Sequence, residues 1–298
     1  MDIRKFLSEK KEIVDVALER YFPKEMDFPT SLHKAIRHSL FAGGKRIRPI
    51  LCISAYEAMG RSGDEVFPFA CALEVIHTYS LIHDDLPAID NDDYRRGKPT
   101  CHKVFGEGIA LLAGDGLLTE AFRVMAQPLP RNPSSSDEAL RLDLVNEVAR
   151  AAGVFGMVGG QVLDIESERK EVDLPTLQYI HTHKTGKMIL ISVKTGARLG
   201  GASGESLKAF VNYGERIGLA FQIADDILDV EGNPALLGKT TGSDSAKRKA
   251  TYPSLLGLEE SKRRAKELVT GALDALSLFG PEADSLREIA RFIIARGY

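Results

Sequence analysis

Five aspartates fall within ten residues, Asp84, Asp85, Asp90, Asp92 and Asp93, and an arginine pair, Arg95 and Arg96, follows at once. Carboxylate oxygens are the natural ligands of hard divalent cations, and guanidinium forks match phosphate geometry. The pattern therefore fits hard cations holding an anionic, phosphate-bearing ligand. Taken alone, the stretch fits an acidic surface loop equally well, but that reading does not explain what delivers it. Residues 66 to 82 are apolar almost throughout, and Pro87 pushes Leu86 out of the α region, so a helix here ends with Asp84 and Asp85 in its last turn. Acids at a helix C-terminus face the negative pole of the macrodipole, at a cost of roughly 0.3–1 kcal/mol each. These two also repel one another. A bound cation offsets both.

The pattern recurs. Ile82, Asp84, Asp85 and Leu86 are matched by Ile223, Asp225, Asp226 and Ile227, at the end of a second apolar run that begins at Gly204. Two such turns are most simply explained by cations shared between facing helices. Asp225 and Asp229, four residues apart, share a helix face, and Gln222 lies on it too. Upstream, Lys45, Arg46 and Arg48 follow Gly43 and Gly44, and Pro49 suits the first turn of a helix from Ile50 to Met59. Helix N-termini favour anions, so three cations there make a diphosphate seat, although a solvated turn has the same composition. His77 lies seven residues before Asp84, on the same face, where it touches a ligand or serves as a core histidine. With Glu74 it forms the only Glu-x-x-His pair, one short of what a di-iron bundle needs. The Gly-, Ser- and Lys-rich stretch from Gly238 to Lys249, which holds Lys239, reads as a basic lid or a solvated linker.

The elements that must position these residues are helical. Apolar residues recur at three- and four-residue intervals from Ile3 to Tyr21, from Leu32 to Leu40, and through Gly106–Ala126, Leu140–Ile165, Leu174–His183, Met188–Leu199, Ser261–Leu278 and Ala283–Ile294. No convincing alternating strand is found. The Pro- and Ser-rich residues 127 to 138 read as a linker inside one domain, because each side carries half of the candidate site. A net charge of −3 over 298 residues argues against bulk nucleic-acid affinity. Three scattered cysteines, Cys52, Cys71 and Cys101, fit a reducing compartment and no zinc site. Met1 to Lys11 is charged and unlike a signal sequence, and no unbroken apolar run reaches the roughly 18–20 residues of a membrane span. The expectation is a cytoplasmic protein.

With these residues in view, the chain resembles the trans-isoprenyl diphosphate synthases, most closely those of bacterial farnesyl type. The resemblance runs across nearly the whole chain and rests on residues 43–49, 84–100, 183–186, 221–229 and 244–255, with the wide gap between Asp85 and Asp90 typical of the bacterial form. It implies an all-α fold, a large antiparallel helix bundle around a central cavity, formed by a single polyprenyl synthetase domain over residues 1–298 that works as a homodimer. It also implies about three Mg²⁺ ions held by Asp84, Asp85, Asp90, Asp225, Asp226 and Asp229. Arg95, Lys184 and Lys239 are then expected to grip an allylic diphosphate, and Lys45, Arg48, His77 and Arg96 to seat isopentenyl diphosphate. Thr185 and Gln222 present dipoles to a carbocation, while Tyr79, with small Ser80 beside it, floors the pocket and sets product length.

Two other readings stand beside this one. A twenty-carbon geranylgeranyl diphosphate synthase differs in the floor of the pocket. A non-catalytic prenyl-diphosphate-binding subunit is expected to have lost the aspartates or arginines that this chain keeps. A terpene cyclase is disfavoured by the second aspartate motif and by the isopentenyl diphosphate seat.

Overall fold

The structure, a computed structural model, describes residues 1–22, 24–127, 135–168, 170–231 and 250–295. Its helices are α1 (Ile3–Tyr21), α2 (Thr30–Leu40), α3 (Ile47–Glu57), α4 (Phe67–Asp84), α5 (Cys101–Phe105), α6 (Glu107–Met125), α7 (Ser135–Ala152), α8 (Met157–Ser167) and α9 (Leu174–Ile180). A π-helical turn (His181–Gly186) then leads into α10 (Lys187–Leu199), followed by α11 (Gly204–Glu231), α12 (Tyr252–Leu256), α13 (Leu258–Ala275) and α14 (Asp284–Ala295). The all-α expectation holds, with one addition. Strands β1 (Tyr94–Arg95) and β2 (Lys98–Pro99) pair antiparallel, Arg95 opposite Lys98. Strands of two residues carry no alternation to detect. Their turn is legible only in hindsight, as Arg96 (φ 54°) and Gly97 (φ 75°) supply the positive-φ pair that a two-residue hairpin requires.

The chain groups into two compact units, one of residues 4–50 and 64–145, the other of residues 1–3, 51–63 and 146–298. In the first, α4 is the core helix. Phe69, Ala70, Cys71, Ala72, Leu73, Val75 and Ile76 are all buried, so α4 is apolar on every side, and α6 packs along it. In the second, α11 is the longest helix described, at 28 residues. It contacts α10, the π-helical turn, α12, α13 and α14.

Two helical stretches, Asp64–Asp84 and Asp137–Ser167, are long and apolar enough to cross a membrane by length and composition. This qualifies the expectation drawn from unbroken apolar runs. In the first stretch, 67% of the apolar window is buried inside the protein. The second stretch includes a break between α7 and α8 at residues 153–156.

Candidate active site

In the first unit, α4 ends at Asp84 and Asp85 is its C-cap, where Pro87 requires. The chain then curls back, with Asp90 N–H donating to the Asp84 carbonyl at 2.8 Å and Ile89 and Asn91 N–H to that of Leu86. This return brings Asp90 to the end of the helix that carries Asp84. The three aspartates are not equivalent. Asp84 and Asp90 are half-buried, whereas Asp85 is 3% exposed. Both Asp85 oxygens accept from Arg95 Nε, at 2.7 and 2.9 Å, and Arg95 Nη2 lies 2.5 Å from Oδ1. Burial raises the Asp85 carboxyl pKa despite the opposing pull of Arg95.

The glycine-led turn before α3 sorts its cations in the same way. Lys45 is exposed and Arg48 half-buried, but Arg46 turns inward and is 2% exposed. Its Nε donates to Asp15 Oδ1 and Nη1 to Glu74 Oε1, both at 2.8 Å, and Nη2 donates to the Leu40 carbonyl at 2.7 Å. Burial works against its charge, but the two carboxylates outweigh that and hold the pKa above its usual value. Of the three cations expected at the seat, Arg46 is therefore committed to the fold. Arg96, from the hairpin turn, donates Nη1 to the Gly43 carbonyl. Its guanidinium lies so close to Gly44 that a Cβ there would stand 2.4 Å from Cζ and displace it, and the φ of 113° at Gly44 is one that side-chain-bearing residues rarely adopt.

His77 faces this cluster. Burial, then Arg48, Arg96, Arg95 and Arg46, push its pKa well below the ordinary imidazole value, so it stands neutral among cations. Tyr79 is 6% exposed, with its ring edge-on to His83 at 5.7 Å. Burial and then Asp84 push its hydroxyl up to about 12. Ser80 spends its hydroxyl on the His77 carbonyl at 2.9 Å.

The second unit repeats the division among aspartates. Asp225 and Asp229 are half-buried and Asp226 is 3% exposed. Asp226 Oδ2 lies 2.9 Å from His181 Nε2 and accepts from the Tyr252 N–H at 2.9 Å, while Gln222 Nε2 reaches Oδ1 at 3.4 Å. His181 also stacks on the Tyr252 ring. Lys184 pairs with Asp164, Nζ to Oδ2, at 2.7 Å. A cavity of about 130 Å³ is lined by Asp164, His181, Lys184, Gln222, Asp226 and Thr251. The π-helical turn that carries Lys184 and Thr185 passes so near α8 that a Cβ on Gly160 would meet the Lys184 nitrogen at 2.3 Å. Single π turns inside α-helices are frequent at functional sites.

The structure thus brings His77, Arg48, Arg95 and Arg96 into one electrostatic neighbourhood, and Lys184, Gln222 and Asp226 into one cavity. Lys239 and the basic stretch around it lie outside the described residues. Asp164 and His181 escaped the sequence reading. Asp164 had a signal, being the first charged residue after Arg150 in a glycine-rich apolar stretch. His181 had none beyond its place two residues before His183. Among the described residues, no three His, Cys, Asp or Glu side chains already form a metal cluster. The donors nonetheless suit a hard cation: Asp84 and Asp90 offer carboxylate oxygens from half-buried positions at a backbone-fixed turn.

A polyprenyl synthetase family model matches residues 29–275. The chain belongs to the polyprenyl synthetase family. It is 47% identical to a farnesyl diphosphate synthase of Geobacillus stearothermophilus, covering 100% of this chain and 99% of that one. It is also 47% identical to a geranylgeranyl diphosphate synthase of Cyanophora paradoxa, covering 98% and 95%. Among solved structures, an apo FPP/GFPP synthase from Zymomonas mobilis superposes with a TM-score of 0.86 at 37% identity, covering 98% of this chain and 99% of that one. Farnesyl and geranylgeranyl names meet at equal identity in this family. Product length must therefore be argued from the pocket.

Proposed function

We propose that this polyprenyl synthetase is a farnesyl diphosphate synthase, condensing isopentenyl diphosphate with dimethylallyl and then geranyl diphosphate. The observation that carries the reading is on α4. The helix presents His77 to an arginine cluster and, two turns later, Asp84 at an acidic turn, so one rigid element serves an anion seat and a cation site. The family match, which runs through both units, supports one domain over residues 1–298.

Lys45, Arg48, His77 and Arg96 hold isopentenyl diphosphate, and Arg95, Lys184 and Lys239 the allylic diphosphate. The six aspartates, with Asp84, Asp90, Asp225 and Asp229 the less buried, are the residues that would hold about three Mg²⁺ ions. Those ions supply fixed positive charge to the leaving diphosphate. As the allylic C–O bond ionises, negative charge grows on pyrophosphate, and preplaced cationic side chains stabilise that state more than the ground state. Thr185 and Gln222 turn dipoles toward the allylic cation. The double bond of isopentenyl diphosphate attacks C1, forming the new C–C bond, and departing pyrophosphate takes the proton that restores the alkene. Holding both diphosphates makes this bimolecular step effectively intramolecular. Tyr79, bulky and buried below Asp84, stops growth at fifteen carbons.

Homodimerisation is supported by an exposed apolar stripe on α8, Val158 (39%), Val162 (49%) and Ile165 (43%), at four- and three-residue spacing. A cytoplasmic setting is supported by three buried thiols. The deciding experiment incubates the protein with isopentenyl and dimethylallyl diphosphates and Mg²⁺ and sizes the products. A fifteen-carbon product is expected. A twenty-carbon product would move the assignment to geranylgeranyl diphosphate, and no product at all would favour a non-catalytic binding subunit.

A further inference from the structure

We infer that Asp15 and Glu74 are positioning residues for the isopentenyl diphosphate seat, acting through Arg46. This rests on the reading that Lys45 and Arg48 hold that diphosphate. Arg46 sits between them in sequence with φ 50°, a left-handed conformation unusual for a residue with a side chain. What compensates for that strain is the anchor. One guanidinium reaches α1 through Asp15, the last carbonyl of α2 through Leu40, and α4 through Glu74, with every contact between 2.7 and 2.8 Å. Asp15 is itself steadied by Lys11, 2.5 Å away within α1. Side chains of Arg46 and Glu74 are each 1% exposed, so neither charge tolerates the loss of its partner.

The geometry has two consequences for the seat. The turn's inward residue is fixed to three helices, so its neighbours are fixed too, Lys45 facing solvent and Arg48 the His77 side. Glu74 lies one turn before His77 on α4, so the same helix that contributes His77 also holds the turn leading into α3, whose second residue is Arg48. The network is also charge-balanced. Lys11 and Arg46 offset Asp15 and Glu74, leaving the seat's attraction for phosphate to Lys45, Arg48 and Arg96. A buried cation that does not touch the ligand thus sets the aim of those that do.

The test uses the full chain, with KM measured separately for isopentenyl and allylic diphosphates, alongside kcat and the thermal midpoint. Glu74→Gln and Asp15→Asn are expected to raise the isopentenyl diphosphate KM by about tenfold while the allylic KM and kcat stay within about twofold, because small misplacements of a binding group are amplified in affinity. Arg46→Lys keeps the charge but loses the fork, and is expected to show the same selective rise. Arg48→Ala is the reference. If it raises the isopentenyl diphosphate KM while Asp15→Asn and Arg46→Lys do not, or if those two lower the midpoint and move both KM values in proportion, the positioning role is overturned and the seat stands. If Arg48→Ala leaves that KM unchanged, the seat reading itself falls, and this inference with it. Should Glu74→Gln fail to fold, Asp15→Asn, at the more exposed end of the network, carries the test.

Discussion

Lys184 and Asp164 form an ion pair, Nζ to Oδ2 at 2.7 Å, that ties the π-helical turn to α8. The lysine assigned to the allylic diphosphate is therefore aimed by a carboxylate that the sequence reading passed over. Asp164→Asn is expected to lower kcat/KM for the allylic substrate by roughly tenfold or more, since Lys184 keeps its charge but loses its orientation. Steady-state kinetics with dimethylallyl diphosphate varied would check this. Unchanged kinetics would reduce the pair to a surface tie.

The less buried aspartates are expected to matter most for the metal. Asp84→Ala and Asp225→Ala should each lower turnover by about 10²-fold or more, the scale on which removing part of an electrostatic device acts. Excess chelator should abolish activity. Full turnover in chelator would refute the metal requirement.

Product length gives a readout independent of rate. Tyr79→Ala opens the space below Asp84, and chromatography should show product moving from farnesyl toward geranylgeranyl diphosphate. Removing so large a buried side chain also costs roughly 3–5 kcal/mol through the cavity it leaves. A folded variant with the wild-type product distribution would place the floor elsewhere.

Stability should depend on pH through His77. Burial and the surrounding arginines hold its folded pKa well below that of the unfolded chain. Below about pH 6.5 the unfolded chain therefore binds a proton that the fold does not, and stability falls as pH falls, by at most about 1.4 kcal/mol per unit for one proton. Thermal unfolding of the wild type and of His77→Gln between pH 5.5 and 7.5 should show a shallower decline in the variant. Parallel curves would assign the acid sensitivity to other groups.

Much of this architecture was legible in the chain. Prolines and glycines marked helix ends well: α1 stops at Tyr21, two residues before Pro23, α4 ends at Asp84, and Gly60, with φ 73°, follows the last turn after α3. The two Asp-Asp turns fell on the helices expected. What periodicity could not supply was direction. Nothing in the run from Gly43 to Pro49 tells Arg46 from Lys45 or Arg48, because a left-handed residue sends its side chain where no helical wheel predicts. Likewise, Asp85 and Asp226 look identical to their neighbours until the hairpin folds Arg95 back onto the first and His181 reaches the second from 45 residues away. The hairpin was missed for the same reason: its two-residue strands are defined by their partners.

The π-helical turn from His181 to Gly186 makes the segment sensitive to length in a way composition hides. An α-helix advances about 100° per residue, and a π turn holds one residue more than an α turn in the same rise. Deleting a single residue here would restore an ordinary ladder and swing everything beyond it by that angle. Leu177 and Ile180 before the turn and Met188, Ile189 and Ile191 after it are all buried, so both flanks could not keep their faces inward. Substitutions at half-buried Thr182, whose hydroxyl turns back to the Gln178 and Tyr179 carbonyls, should pass with little effect, whereas a one-residue deletion anywhere in the six would set α9 and α10 against each other.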